Sequence, residues 1–384
     1  MKAEKEKEYN GSFEKEDKKE VLKKTRGRSI QETAKIILDF FKKPFQGKSN
    51  EELVFQEKFN AKEYIETYYP RIDDMEGSLE TFKEVQAEIK GSNGIFNMKE
   101  TMEKKELSPE EVENIFIFDF QRHVSKELLQ AFPEDHIKTL DVGGGPTIYQ
   151  HIFTAMVAGN ITHSEFLEAN RKEVTSWVES SGDEHNWDSY FKFIKTIIKD
   201  DPGYVEIIKN NLESENSDIK NHAIKLNSLL TEGGESGIKE NLREVIGGKV
   251  TFGDVFKDDL GIGKENDNYE FVNSSTRESA IELVTSNFTI ESATEDRDKW
   301  QNGMINIMNK VKAGGYLSLS AIRNSSWYKV GEEKLPATEI NEDDLAKILE
   351  ENGFNILEQR VLEGSNKEED GYDGMIFIFA NKTI

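Results

Sequence analysis

Three consecutive glycines, Gly143, Gly144 and Gly145, follow an apolar run that ends near Asp141 in the stretch "LDVGGGPTIYQ" (140–150). Glycine loses more conformational freedom on folding than any other residue, so a triplet is expected where the backbone needs positive φ or where a ligand presses against it. After a strand, such a turn aims backbone amides at a bound group. Two cofactor classes use turns of this kind. A dinucleotide fingerprint requires G-x-G-x-x-G, but counting from Gly143 the third glycine position holds Ile148, a poor match to a nicotinamide dinucleotide. An acid leading into the turn suits S-adenosylmethionine better, because Asp141 can anchor the loop while its amides face the methionine end.

Two further carboxylates fit that reading. Glu165, in "ITHSEFLEAN", stands at the end of the next strand, where a carboxylate can hold ribose hydroxyls. Asp254, closing "KVTFGD", stands beyond the third strand, where an acid can accept from the adenine amino group. Singly, each also fits a helix cap or a solvated loop acid. Together, after a glycine turn, they point to a cofactor site. His123, His136, His151, His163, His185 and His222 show no H-E-x-x-H or other ligand spacing, so no metal is expected. The loop "GSNKEEDG" lacks calcium spacing.

These residues need a scaffold that delivers strand ends to one rim. From residue 139 onward, strand and helix patterns alternate, which indicates an open parallel sheet covered by helices. Candidate strands span 139–142, 160–163, 250–253, 283–287, 316–321, 355–361 and 375–380. The expected fold is therefore α/β and Rossmann-like: a seven-stranded, mostly parallel sheet with helices on both faces. The last two strands follow a helix capped by Asn341 and ended by Gly353, with a short loop between them. This predicts a terminal hairpin and one antiparallel edge strand. Upstream, Ser108, Pro109 and Glu111 form a capping box ahead of Ile115, Phe116, Phe120, Val124 and Leu128. The polar, helix-prone segment at about 186–246 is too long for a crossover and is read as a helical insertion.

At the N-terminus, residues 1–28 carry ten basic and seven acidic side chains with almost nothing to bury, which predicts a disordered charged tail. A helical region then runs over 29–138, beginning with "SIQETAKIILDFF", and a catalytic domain over 139–384. The net charge of −24 argues against nucleic acid and anionic membranes as partners and leaves a cationic or neutral small molecule. There is no cysteine, which excludes disulfides and thiolate catalysis. With no apolar leader and no run approaching the ~20 residues of a membrane span, a cytosolic protein is expected.

"LDVGGGPTIYQ", and "GPTIYQ" above all, resembles the glycine motif of the nicotinamide, phenylethanolamine and thioether methyltransferase family, a group of class I S-adenosylmethionine-dependent enzymes. "FNAKEYIETYY" (59–69) resembles that family's N-terminal lid, and "GGYLSLSAIRNSSWYKVGEEKL" (314–335) its fifth strand and following loop. The resemblance implies that Tyr69 lies near the cofactor carboxylate and Tyr64 over the substrate. It implies that Gly143, Gly145 and Thr147 line the methionine part, that Glu165 and Asn170 hold the ribose, and that Asp254 and Val255 flank adenine. Asn287 is counted with the cofactor-binding residues, and Glu291, in "TSNFTIESA", matches an acid of the substrate pocket. Phe55 stands where the family has tyrosine, and Ala321 where its amine-binding members have a carboxylate. By themselves Tyr64, Tyr68 and Tyr69 also fit the packing face of an amphipathic helix, and Trp327 and Tyr328 a core edge.

The reaction so implied is methyl transfer to a nitrogen of a small-molecule amine or heteroaromatic by in-line displacement, with Glu291 and Tyr64 at the substrate. It requires alignment and exclusion of water more than a strong base. Transfer to a thiol or thioether is the nearest alternative. A partner-binding pseudoenzyme that keeps the fold comes next, and a nicotinamide-dependent dehydrogenase last.

Overall fold

The computed structural model describes residues 59–384 apart from 70, 93, 135–136, 183, 232–233, 263–280, 331–332 and 365. The expected tail, the helix beginning at Ser29 and the Phe55 position lie outside the described residues.

Ten strands are described: β1 (Ile95–Asn97), β2 (Ile137–Val142), β3 (Ala158–Glu165), β4 (Val250–Phe252), β5 (Ile281–Asn287), β6 (Val311–Arg323), β7 (Trp327–Val330), β8 (Glu333–Pro336), β9 (Phe354–Glu363) and β10 (Gly374–Lys382). Eight of them form one sheet in the order β1-β9-β10-β6-β5-β2-β3-β4, and β7 pairs with β8 in a separate hairpin. β3, β2, β5 and β6 run parallel in register, and β4 joins β3 the same way. All seven expected strands are present, six within these bounds and the one expected at 250–253 ending one residue earlier, at Phe252.

Two details differ from the expectation. The sheet has an eighth strand, β1, which runs parallel to β9 at the far edge. It is three residues long with only Phe96 buried, too short for an alternating pattern to reveal it. The antiparallel strand is not at the edge: β10 lies between β9 and β6 and is antiparallel to both. Its run "GMIFIFA" is buried throughout, as a strand covered on both faces must be.

The helix Pro109–Ala131 carries the predicted capping box. The Glu111 amide donates to Ser108 Oγ, and the Ser108 amide donates to Glu111 Oε2. It is buried along most of its length because it lies under further helices. Asp119 on it is paired accordingly, accepting from Gln86, Arg122 and Arg360. Between the helix Glu168–Glu179 and β4, four helices follow one another, Asp188–Lys199, Pro202–Leu212, Ser217–Thr231 and Gly234–Ile246. Trp187, Tyr190, Phe191, Phe193 and Tyr204 are almost fully buried among them. His222 bridges the Pro133 and Met156 carbonyls at 2.8 and 3.0 Å, which fastens this layer to the connections that lead into β2 and β3.

The chain runs from β2 outward through β3 to β4, then returns to β5 and β6 on the other side of β2. The strand order therefore reverses between β2 and β5. In an open parallel sheet, ligands bind beyond the carboxyl ends of the strands at this reversal.

Candidate functional site

The glycine turn lies at that place. Gly143 and Gly145 have φ of 66° and 65°, left-handed values that only glycine adopts without strain. The amides of Gly143 and Gly144 donate to the Ser164 carbonyl at 2.7 and 3.3 Å, fixing the turn against β3. A Cβ at Gly143 would strike Thr289, and one at Gly144 would strike Asp141 and His163, so both positions are closed by packing. At Gly145 an added Cβ meets no protein atom within 4 Å. That open flank is where a ligand can approach the backbone. Thr147 and Gln150 hold the turn from behind: the Thr147 hydroxyl donates to Gln150 Oε1 at 2.9 Å, and Gln150 Nε2 donates to the Gly144 carbonyl at 3.0 Å.

Glu165, buried at the end of β3, accepts from the amides of Gly145 and Leu167 at 3.0 and 2.7 Å. Burial raises the pKa of its carboxyl, against the opposing effect of the Leu167 amide and other neighbours. A carboxylate has about four acceptor sites; with the Asn170 side chain also donating to Glu165, one remains for a ribose hydroxyl. Asn170 lies beside Glu165 on the helix Glu168–Glu179, and its buried Oδ1 has no hydrogen-bond partner. A buried carbonyl oxygen without a donor is rare in a finished interior and is accounted for by a ligand that supplies one. The open flank at Gly145 and this orphaned acceptor fit the ribose and methionine ends of S-adenosylmethionine. Asp254, just past β4, accepts from the Phe256 amide at 3.0 Å and pairs with Lys257 at 3.1 Å, with Val255 packed in the core behind it. Asn287, the last residue of β5, accepts from the Ser320 hydroxyl at 3.0 Å.

The helix Ala61–Tyr68 starts at Asn60, whose side chain accepts from the Glu63 amide. It brings three tyrosines to the rim. The hydroxyls of Tyr69 and Tyr149 are 2.9 Å apart, with ring centroids at 4.6 Å, so the lid is fastened to the short helix behind the glycine turn. The Tyr68 hydroxyl donates to the Lys329 carbonyl, and the Asn114 side chain donates to the Tyr68 carbonyl. Tyr64 lies between them, with centroids 5.0 Å from Tyr68 and 6.2 Å from Tyr69. Burial pushes its hydroxyl up to about 12, with the charges of Glu291 and Glu165 adding to the shift. One tyrosine thus senses both acids.

Glu291 follows β5 on the short helix Ile290–Ala293 and is buried. Its Oε1 accepts from the Ile322 amide at 3.0 Å. Burial pushes its carboxyl up to about 7, against the lowering effect of that amide. Tyr328, from the β7–β8 hairpin, donates to the Ser292 carbonyl, and its own acidity is suppressed by burial and by the nearby Tyr64 and Glu291. By sequence Tyr328 reads as a core-edge aromatic; its place beside Glu291 depends on how the β7–β8 hairpin packs against the rim. Ala321, by contrast, belongs to the apolar cluster that contains Leu319, Ile340 and Ile376.

Beneath the turn the structure gathers a group that spacing did not reveal. Asp141, His151 and His163 come from β2, the helix Tyr149–Thr154 and β3, and all are essentially fully buried. Asp141 Oδ1 accepts from the Thr285 hydroxyl at 2.6 Å, and His163 Nε2 donates to the Gly145 carbonyl at 3.1 Å. Burial opposes ionisation of Asp141, but His151, His163 and Thr285 together hold its carboxyl below the usual range. Burial pushes His151 down to about 4, so its imidazole is neutral at pH 7. Asp141 therefore faces inward and positions the turn.

No helix among the described residues is long and apolar enough to cross a membrane. The family profile described as "NNMT/PNMT/TEMT family" matches residues 109–206 and 217–383. Similar curated proteins include phenylethanolamine N-methyltransferase of Homo sapiens, 23% identical over 63% of this chain and 72% of that protein. Nicotinamide N-methyltransferase of Homo sapiens is 21% identical over 61% of this chain and 74% of that protein. Among solved structures, magnesium protoporphyrin IX methyltransferase from Synechocystis with bound S-adenosylmethionine superposes with a TM-score of 0.40 at 10% identity, covering 88% of this chain and 99% of that one. With the profile matching well over half of its length, the chain belongs to the NNMT/PNMT/TEMT family and is a methyltransferase that uses S-adenosyl-L-methionine.

Proposed function

We propose that the chain methylates a nitrogen of a small-molecule amine or heteroaromatic, and that Glu291 is the acid that recognises it. The observation that carries this reading is a buried carboxyl beside two tyrosines, Tyr64 and Tyr328, at the strand rim that also holds Glu165. The similarity to phenylethanolamine and nicotinamide N-methyltransferases supports it. When bound, the cofactor supplies an electrophilic methyl group.

The chain's own residues do the rest. Gly145 gives close backbone access, and Glu165 with Asn170 fixes the ribose. Tyr64, Tyr69 and Tyr328 cover the site and exclude water, which strengthens every electrostatic contact inside. Glu291 keeps one oxygen on the Ile322 amide and offers the other to a substrate N–H. With its carboxyl held up to about 7, it can take the proton that an ammonium must lose before its lone pair can attack. Alignment supplies most of the rate and Glu291 the protonation state.

The test is a methylation screen of purified chain over amines, pyridines and thioethers read by mass spectrometry. Product on nitrogen is expected, and Glu291→Gln should lower kcat/KM for a cationic acceptor by two orders of magnitude or more, since losing one side of a buried charge pair costs about 3–5 kcal/mol. Product on sulfur alone, or a harmless Glu291→Gln with a cationic acceptor, would overturn the reading.

A further inference from the structure

We propose that Asp141, His151 and His163 form a divalent-metal site of the zinc class beneath the glycine turn. Asp141 Oδ2 lies 3.4 Å from His151 Nε2 and 3.4 Å from His163 Nδ1, and the two nitrogens are 2.9 Å apart. A single point about 2 Å from all three atoms exists, the length of a zinc bond to nitrogen or oxygen. Ligand atoms on one face of a zinc tetrahedron are roughly 3.3 Å apart, so the nitrogens need separate by only a few tenths of an ångström.

Outer contacts orient two of the three ligands. His163 Nε2 donates to the Gly145 carbonyl, which leaves Nδ1 with its lone pair facing the gap. A histidine ligand typically donates its other nitrogen in this way, fixing tautomer and ring orientation. The Thr285 hydroxyl occupies Asp141 Oδ1 and leaves Oδ2 turned toward the imidazoles. That Oδ2 is buried, and the atoms it faces are the two imidazole nitrogens, each 3.4 Å away and outside good hydrogen-bond geometry. Buried polar atoms are almost always satisfied, so this one calls for an unseen occupant. A proton on His151 Nε2 directed at His163 Nδ1 satisfies the nitrogens but leaves Oδ2 only the long 3.4 Å contacts. A cation satisfies all three atoms.

Two imidazoles and one carboxylate favour zinc and its neighbours over calcium or magnesium, which prefer all-oxygen sets. Because the ligands are no more than 1% exposed, the ion is structural and does not meet substrate. It ties β2, the helix Tyr149–Thr154 and β3 to the turn, and Gly144 packs directly against its ligands. The site does not depend on which acceptor is methylated.

The experiment uses the full chain stripped with a chelator, to which zinc or cobalt(II) alone is added. One zinc per chain by elemental analysis, a melting temperature raised by several degrees, and the visible absorption of tetrahedral cobalt(II) are expected. His151→Gln and His163→Gln should lose all three, while His123→Gln, on the helix Pro109–Ala131, should keep them. Zinc-free purified protein with no thermal or spectral response would overturn the site. So would stoichiometric zinc retained by both variants, which would place it on the acidic surface. Should either variant fail to fold by circular dichroism, histidine imidazole resonances of the wild type decide. One equivalent of zinc must then shift the signals of two buried rings, and unmoved signals would overturn the site. Calorimetry with S-adenosylmethionine on the same samples reports separately on the cofactor site.

Discussion

At the scale of single residues, the open flank of Gly145 and the paired acceptors of Glu165 carry opposite kinds of information. Gly145→Val would project methyl groups into space that no protein atom fills, from a φ of 65° that valine resists, and should abolish cofactor binding while also lowering stability through backbone strain in the turn. Glu165→Ala would remove the ribose acceptor and should weaken binding by about 1.5–3 kcal/mol, the range for hydrogen bonds to a charged group. Titration calorimetry checks both, and unchanged affinity in the pair would rule out this assignment. Ala321 is a different case. Its methyl group packs in an apolar cluster with Ile340 and Ile376, so Ala321→Asp would bury an unpaired carboxylate. Urea denaturation should show a loss of about 3–5 kcal/mol, where a position open to the substrate would show almost none.

At the scale of elements, the lid helix Ala61–Tyr68 is held less by its own propensity than by what its tyrosines reach. Its first turn is capped by Asn60, and eight residues make a marginal helix in isolation. Tyr69 on Tyr149, Tyr68 on Lys329 and Asn114 on Tyr68 supply the tertiary contacts that hold it over the rim. Tyr69→Phe leaves the buried Tyr149 hydroxyl without its partner, which costs about 1–3 kcal/mol. The expected outcome is a raised KM for S-adenosylmethionine and faster amide exchange in residues 61–68, followed by hydrogen exchange and mass spectrometry. Unaltered exchange there would show that the other two contacts suffice.

At the scale of the whole molecule, Glu291 links the site to global stability. Its carboxyl titrates near 7 when folded against an ordinary 4.5, so between these values the folded state holds a proton that the unfolded chain has lost. The stabilisation from this proton is complete below 4.5 and is lost as pH rises through about 7. The loss amounts to roughly 3 kcal/mol, at about 1.4 kcal/mol per unit. Glu291→Gln stays neutral and should not show it. Denaturation of both proteins at pH 5 and pH 8 checks this: the wild type should fall by about 2.5 kcal/mol more than the variant, part of the loss having already occurred below pH 5, and parallel curves would contradict the buried carboxyl held near 7.

The glycine turn, the parallel strands and the capped helix Pro109–Ala131 were legible in the sequence because each depends on local rules: positive φ, continuous apolar runs and side-chain caps. The succession of Asp141, Glu165 and Asp254 was legible for the same reason, since strand ends in an open parallel sheet share a rim by topology. Contacts between residues far apart in the chain were decided only by the tertiary structure. β10 entered the sheet between β9 and β6 because its apolar run needs cover on both faces, while β1 was too short to show a pattern. The β7–β8 hairpin carried Tyr328 to Glu291, and packing turned Ala321 into the core. Asp141, His151 and His163 are spaced like no metal motif, yet parallel pairing of β2 with β3 sets Asp141 directly opposite His163, and the turn between those strands folds His151 back onto both.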